Sequence, residues 1–375
     1  MHPGLERLFG QLRALREAAG LSQEDVATTL VLGHGWVQRF ESGEGEPTIG
    51  TLAALLDLYG SSLTEFFAEV DLGDTSVVLD RHLAATECGE NLVLHFPMGA
   101  YRATVDIPGG TLDQYNSVVT VLRDHLANGK KAEGIAACFL AAVENWPTAN
   151  PSDLWYFFVS HAYQDDYNHP ASEAGRDWSQ SWKRASGWAL EAMLVEYYNP
   201  HLSTHGIRLE MPTDKEAKSQ YVRAMGVDSL AGVEKADVIA MGKVDSTWVP
   251  FGVVHVKASF AERRTDDVPL SVALISRGYA SPLVTMDCKA SPSPRPVNKG
   301  ELGATSGGDA VVSSKRLDIE RDRKFDACFS FNANTIPTPV GQAAAARIFV
   351  CGMSDPDDAF TAHLIRKWHE RQGIA

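Results

Sequence analysis

Cysteine is scarce and scattered in this sequence. The five that occur, Cys88, Cys138, Cys288, Cys328 and Cys351, include no C-x-x-C pair, which excludes a zinc ribbon or a dithiol redox motif. An odd, dispersed set suits a reducing compartment. Long apolar runs are missing too: nothing approaches the roughly 18 consecutive apolar residues of a membrane span. The N-terminus, M-H-P-G-L-E-R, lacks the basic start and apolar stretch of a signal peptide. A cytoplasmic protein with no membrane partner is expected. No Walker A, G-x-G-x-x-G or G-x-S-x-G pattern occurs, so no nucleotide cofactor and no serine-hydrolase elbow is expected. Positive charge is short as well. The chain carries a net charge of −14, and residues 1–72 hold four arginines, no lysine and eleven acidic residues. That balance argues against a simple basic nucleic-acid binder. It leaves room for an enzyme that holds a metal at clustered carboxylates, where acids are the working groups.

Apolar material is ample. With 44% apolar residues over 375 positions, the chain can bury cores for two or three domains. Pattern divides it into residues 1–72, 73–147 and 148–375. The first segment reads as all helical. Leu5, Leu8, Phe9, Leu12 and Leu15 recur at helical spacing, and Gly20 ends that helix. Ser22 caps the next, with Asp25 at the capping-box position. A glycine turn, L-G-H-G, and a third short helix ended by Gly43 follow, then helices opened by Thr48 and Ser62. The middle segment reads as two strands, N-L-V-L-H-F-P-M and Y-R-A-T-V-D-I, and two helices over 112–126 and 132–143. It is expected to be an arm or packing layer without chemistry of its own. The last segment reads as helices over 151–163, 177–198 and 269–277, with strands over 206–211, 236–241, 252–260, 282–287 and 326–332.

The densest chemistry lies in V-V-H-V-K-A-S-F-A-E-R-R, which begins at Val253. His255, Lys257 and Ser259 recur at period two, so one face of a strand carries all three. Asp237 sits on the earlier strand, joined by a turn-prone segment over 242–250. A carboxylate offers the hard oxygen that a divalent cation takes. A lysine on the next strand can orient a water or steady the charge of a pentavalent phosphate. Past the strand, Glu262, Arg263 and Arg264 have the chemistry to read C·G pairs: arginine donates to guanine O6 and N7, and a carboxylate accepts from cytosine N4. Plainer readings stand beside these. An aspartate and a lysine on neighbouring strands are common, and a charge run at a strand end is usually solvated.

Taken together, these residues resemble type II restriction endonucleases of the PD-(D/E)XK superfamily, in particular the CCGG-cutting (BsaWI-like) group, over residues 150–340. The superfamily usually has an acid two residues before the lysine. Here that residue is His255, which leaves one ligand position unaccounted for. The group's R-(D/E)-R recognition element falls on Ala261, Glu262 and Arg263, so its first arginine is missing and Arg264 stands next to it. In S-G-W-A-L-E-A-M-L-V-E-Y-Y-N, Glu191 matches the helix that supplies a further metal-site glutamate. The resemblance implies an α/β fold, an α+β mixed sheet flanked by helices. It implies Mg²⁺-dependent phosphodiester hydrolysis in double-stranded DNA by a homodimer. Asp237 and Glu191 would bind the metal, Lys257 would position or activate water, and His255 or Ser259 would tune the site.

Residues 1–72 resemble the Cro/repressor-type (XRE) helix-turn-helix family through L-S-Q-E-D-V-A, Leu32, Val37, Glu41 and Gly43. A separate all-α domain follows from that likeness. It would touch DNA through Gln23, His34, Trp36, Gln38 and Arg39. The acidic balance leaves a dimerisation or regulatory module open. Two other functions also stay open: a helix-turn-helix transcriptional regulator whose large domain is a non-catalytic sensor, and a nuclease specific for modified DNA.

Overall fold

The computed structural model describes residues 3–33, 35–42, 49–63, 65–66, 78–79, 84–98, 101–163, 168–169, 178–227, 236–259, 264–288, 297–303 and 312–374. The chain forms two compact units, Met1–Ser76 and Val77–Ala375. No helix of the described residues is long and apolar enough to cross a membrane.

The first unit contains α1 (Pro3–Ala18), α2 (Gln23–Thr29), α3 (Trp36–Glu41) and α4 (Ile49–Leu58). Gly20 ends α1 at φ +71, a left-handed turn that a Cβ resists. At the start of α2, the Asp25 amide donates to Ser22 Oγ at 3.1 Å and the Ser22 amide donates to Asp25 Oδ2 at 2.9 Å. The shorter aspartate therefore closes the capping box. Ser62 and Glu65 exchange the same two bonds at 3.1 and 2.9 Å. Thr64 and residues 67–70 of that fifth helix, and Gly43 and Thr48, lie outside the described residues. Phe9, Leu12, Val26, Val37, Phe40, Leu52, Leu55, Leu56 and Phe66 make the core.

The second unit opens with a small antiparallel sheet in the order β1 (Val78–Leu79), β2 (Ala84–Cys88), β3 (Asn91–Met98), β4 (Tyr101–Pro108). Helices α5 (Leu112–Ala127) and α6 (Lys131–Asn145) follow. These elements share one core with what comes next: Phe139 of α6 meets Trp155 edge-on at 5.2 Å. Trp155 belongs to α7 (Pro151–Phe157), which runs into a π turn over Phe158–Ala162, and the long α8 (Trp178–Ser203) comes after it.

The main sheet is mixed and has six strands in the order β10–β9–β8–β7–β6–β5. β5 (Ile207–Glu210), β6 (Val238–Val244) and β7 (Thr247–Lys257) are antiparallel neighbours. From β7 onward, β8 (Leu283–Thr285), β9 (Cys328–Ser330) and β10 (Ile348–Val350) add in parallel. Val254 and Val256 enter the core shared with Leu190 and Met193 of α8. Ile239, Met241 and Val253 pack instead with Val222 of α9 (Lys215–Ala224) and with Leu270 and Leu274 of α10 (Arg264–Ser276). Alternation then sends His255 and Lys257, in phase with Val253, to the α10 side. α11 (Ser314–Glu320) and α12 (Ala359–Gln372) complete the unit.

Three boundaries differ from the sequence expectation, and all three touch the site. Val244 pairs with Thr247, so the expected turn over 242–250 shrinks to Asp245 and Ser246. Asp245 takes φ +53, a conformation that aspartate tolerates in tight turns. β7 ends at Lys257, so Ser259 lies past the strand and does not continue the face of His255 and Lys257. Finally, α10 begins at Arg264, not at 269, and carries Pro269 inside it. Asp266 and Asp267 fill its first turn, where carboxylates complement the helix dipole.

Candidate active site

Asp237 immediately precedes β6, and Lys257 ends its hairpin partner β7. The Val256 amide donates to Asp237 Oδ2 at 2.9 Å, which pins the carboxylate at the strand end. Lys257 Nζ donates to the same oxygen at 2.8 Å and lies 2.8 Å from Asp267 Oδ2. Asp267 is buried in the first turn of α10. One ammonium thus sits between a hairpin carboxylate and a helix carboxylate. Burial alone would lower the lysine's pKa, but the charges of Asp237 and Asp267 overcome it and hold the pKa above its ordinary value. A lysine so held remains a charged hydrogen-bond donor. It suits orienting a water or steadying a phosphate, not removing a proton.

His255 is fully buried beside this pair. Its Nε2 lies 3.0 Å from Ser281 Oγ, and Ser281 Oγ donates onward to Ser271 Oγ at 2.8 Å. Phe325 meets the imidazole edge-on at 5.2 Å. Nδ1 is 3.9 Å from Asp267 Oδ2 and finds no hydrogen-bond partner among the described residues. Burial pulls the His255 pKa down to about 4, with Asp237 opposing and Lys257 reinforcing the shift, so the ring is neutral at neutral pH. His255 therefore brings no negative charge to the position two before the lysine. Asp267 supplies that charge from the helix. One ligand atom each from Asp237, His255 and Asp267 lie within 4.8 Å of one another. Two carboxylates and an imidazole lone pair are a donor set that fits a divalent cation.

Glu191 of α8 is half-buried. Burial first, then the charge of Asp237, pushes its pKa up to about 8, while Lys218 and Lys257 oppose. It lies within electrostatic reach of the cluster but is not one of the three grouped donors. The structure therefore brings together Asp237, Lys257 and His255, sets Glu191 near them, and leaves Ser259 past the strand. Asp267 went unrecognised in the sequence because a helix starting at 269 excludes it. Its signal was the acid pair Asp266–Asp267, with Asp267 four residues before Ser271 and so on one helical face. Glu262 and Arg263 lie outside the described residues. Arg264 opens α10, but its side chain is also outside them.

The first unit's expected contact residues are held in different ways. Gln23 donates its side-chain amide to Glu41 Oε2 at 2.7 Å. Trp36 is half-buried and stacks on Phe40 at 5.4 Å. Gln38 and Arg39 are exposed on α3. His34 lies outside the described residues.

Known proteins divide along the same two units. Residues 7–66 match a family described as a helix-turn-helix domain. Over 69 residues the chain is 38% identical to the HTH-type transcriptional regulator PuuR of Escherichia coli (strain K12), which covers 18% of this chain and 37% of the regulator. Over 244 residues it is 40% identical to the type II restriction enzyme AgeI of Thalassovita gelatinovora, covering 63% of this chain and 84% of that enzyme. The crystal structure of an AgeI–DNA complex superposes with a TM-score of 0.64 at 35% identity, over 73% of this chain and 99% of that one. Against a BsaWI–DNA complex the TM-score is 0.36 at 14% identity, too low to argue from. The chain is a sequence-specific endonuclease of the restriction class. Within that class it belongs to the type II family that includes AgeI, and it carries a helix-turn-helix domain ahead of the nuclease.

Proposed function

We propose that the chain cuts double-stranded DNA at a C/G-containing palindrome with a CCGG core, by Mg²⁺-dependent hydrolysis of the phosphodiester that leaves a 5′-phosphate. The observation that carries this is Lys257 Nζ at 2.8 Å from both Asp237 and Asp267, in a chain 40% identical to a type II restriction enzyme. Asp237 and Asp267 hold the metal, and Glu191 closes its shell. When bound, Mg²⁺ polarises the phosphoryl oxygen and lowers the pKa of a bound water. Lys257, kept protonated by its two acids, donates to the attacking water or to a phosphate oxygen. Glu191 holds a proton near neutrality while no cation is present, and a nearby cation favours its ionised form. Glu262, Arg263 and Arg264, which follow β7 in the sequence, read base edges. Gln23, His34, Trp36, Gln38 and Arg39 give the first unit its own DNA contacts. A palindromic target suits a two-fold homodimer, and the work is done in the cytoplasm.

The test uses methylated and unmethylated plasmid, with and without Mg²⁺, and compares wild type with Asp237→Ala. Discrete Mg²⁺-dependent fragments from wild type alone are expected. Failure to cut either plasmid contradicts the proposal. Cutting of the methylated plasmid alone moves the function to modified DNA.

A further inference from the structure

We propose that His255 Nδ1 is itself a metal ligand, and that it makes the centre bind Mn²⁺ more tightly than Mg²⁺. This rests on the assignment of Asp237 and Asp267 as metal ligands, and goes beyond it. The first support is the proton on the imidazole. Ser281 Oγ gives its own hydrogen to Ser271 Oγ at 2.8 Å, so toward His255 Nε2, 3.0 Å away, it acts as the acceptor. The ring proton therefore sits on Nε2 and Nδ1 keeps a bare lone pair. That lone pair is fully buried, has no hydrogen-bond partner among the described residues, and faces Asp267 Oδ2 at 3.9 Å. Two atoms that both offer lone pairs do not bond to each other. Lys257 Nζ already meets Asp267 Oδ2 at 2.8 Å, so the atom left for a further cation to match is Nδ1.

The spacing agrees. Ligand atoms about 2.1 Å from one octahedral ion lie about 3.0 Å apart when adjacent and about 4.2 Å apart when opposite. The 3.9 Å separation lies below that upper limit, and the three donors lie within 4.8 Å of one another, close enough for small side-chain shifts to bring them to one ion. The outer contacts agree as well. A metal-bound histidine characteristically donates its other N–H to a fixed acceptor, which sets ring and tautomer, and the Ser281–Ser271 chain provides that acceptor. Asp267 and Ser271 leave α10 one turn apart, so one helix face carries both a ligand and the support of the next. An imidazole nitrogen suits transition ions better than Mg²⁺, while carboxylates suit both, and Mn²⁺ accepts the mixture.

The full-length chain is titrated with Mn²⁺, free ion being read by electron paramagnetic resonance, in competition with Mg²⁺. Pulsed spectra of the loaded protein report directly bound ¹⁴N. Wild type is expected to show the nitrogen coupling and to bind Mn²⁺ at least about tenfold more tightly than Mg²⁺. His255→Gln keeps an amide toward Ser281 and deletes the ligand nitrogen. It is expected to lose the coupling and roughly tenfold or more in Mn²⁺ affinity, with Mg²⁺ affinity little changed and folding checked by melting temperature. His255→Asp is expected to reverse the preference toward Mg²⁺, which keeps the idea testable should the glutamine variant misfold. Mn²⁺ bound without nitrogen coupling, or no Mn²⁺ bound at all, overturns the proposal. Asp237→Asn separates the two levels. If it binds Mn²⁺ as wild type does, the metal-centre assignment itself fails. If it loses Mn²⁺ while His255→Gln keeps it, only the histidine's role fails.

Discussion

Each unit of this chain buries a charged cluster, and the two are closed differently. In the first, Arg16 and Glu41 have side chains only 8% and 3% exposed. Glu41 accepts from Arg16 Nε at 2.6 Å, from Arg16 Nη2 at 3.1 Å and from Gln23 at 2.7 Å, while Arg16 Nη1 donates to the Leu21 carbonyl at 2.7 Å. Arg13 stands 3.8 Å from Glu41 and Glu17 3.4 Å from Arg16, so two positive charges meet two negative ones. In the second, Asp237 and Asp267 share the single ammonium of Lys257, His255 adds a neutral lone pair, and Glu191 is pushed up to about 8 in their field. Among the described residues, two carboxylates and an imidazole gather about one ammonium. A charge-balanced cluster is costly to break. An acid-rich one is a place for a cation and a phosphate.

The largest expected effect comes from breaking the open cluster. Lys257→Ala should slow single-turnover cleavage of a CCGG-containing duplex by roughly 10³-fold, with affinity for that duplex measured in Ca²⁺ as the control. Breaking the closed cluster should cost stability. Arg16→Met strands a buried carboxylate, a loss of about 3–5 kcal/mol, read as lost hydrogen-exchange protection in α1 to α3 while β6 and β7 keep theirs. A transfer of the loss to β6 and β7 would show that the clusters are not separate.

A subtler effect concerns pH. Glu191 titrates at about 8 in the fold against 4.5 for a free side chain. Between those values the native chain holds a proton that the unfolded chain has released, so metal-free stability is full below pH 4.5 and falls as pH rises through about 8. In EDTA, Glu191→Gln should melt higher than wild type at about pH 9 and alike at about pH 4. Equal melting at both would remove Glu191 from the cluster. The smallest effect is expected at Arg39, exposed on α3 in a segment with no lysine. Arg39→Ala should lower affinity for the cut duplex less than about threefold and change its salt slope by no more than about one.

Much of the open cluster was legible in the sequence because strands have a two-residue period. Val254 and Val256 had to face one core, so His255 and Lys257 had to face the other side. The capping box at Ser22 is legible for a similar reason: it is local. Asp267 was not, because its role comes from α10 packing across β7. Its helix was also misplaced, since a proline favours a helix's first turn and Pro269 drew the expected start away from the acidic turn at Arg264. β8, β9 and β10 have three residues each, too few to show a period. β10, α9, α11 and α12 had no expectation at all. In the sequence His255 stands as a gap in the metal shell; its contact with Ser281 at 3.0 Å spans 26 residues and is invisible to any local pattern.

The residue that the structure adds to the sequence is the most direct test of the open cluster. Asp267→Asn keeps the shape of the side chain and removes its charge. Single-turnover cleavage of a CCGG duplex in Mg²⁺ should fall by roughly 10³-fold, while binding to the same duplex in Ca²⁺ stays within about threefold and the melting temperature holds. Cleavage by Asp267→Asn at the wild-type rate would contradict the assignment of this cluster as the catalytic centre.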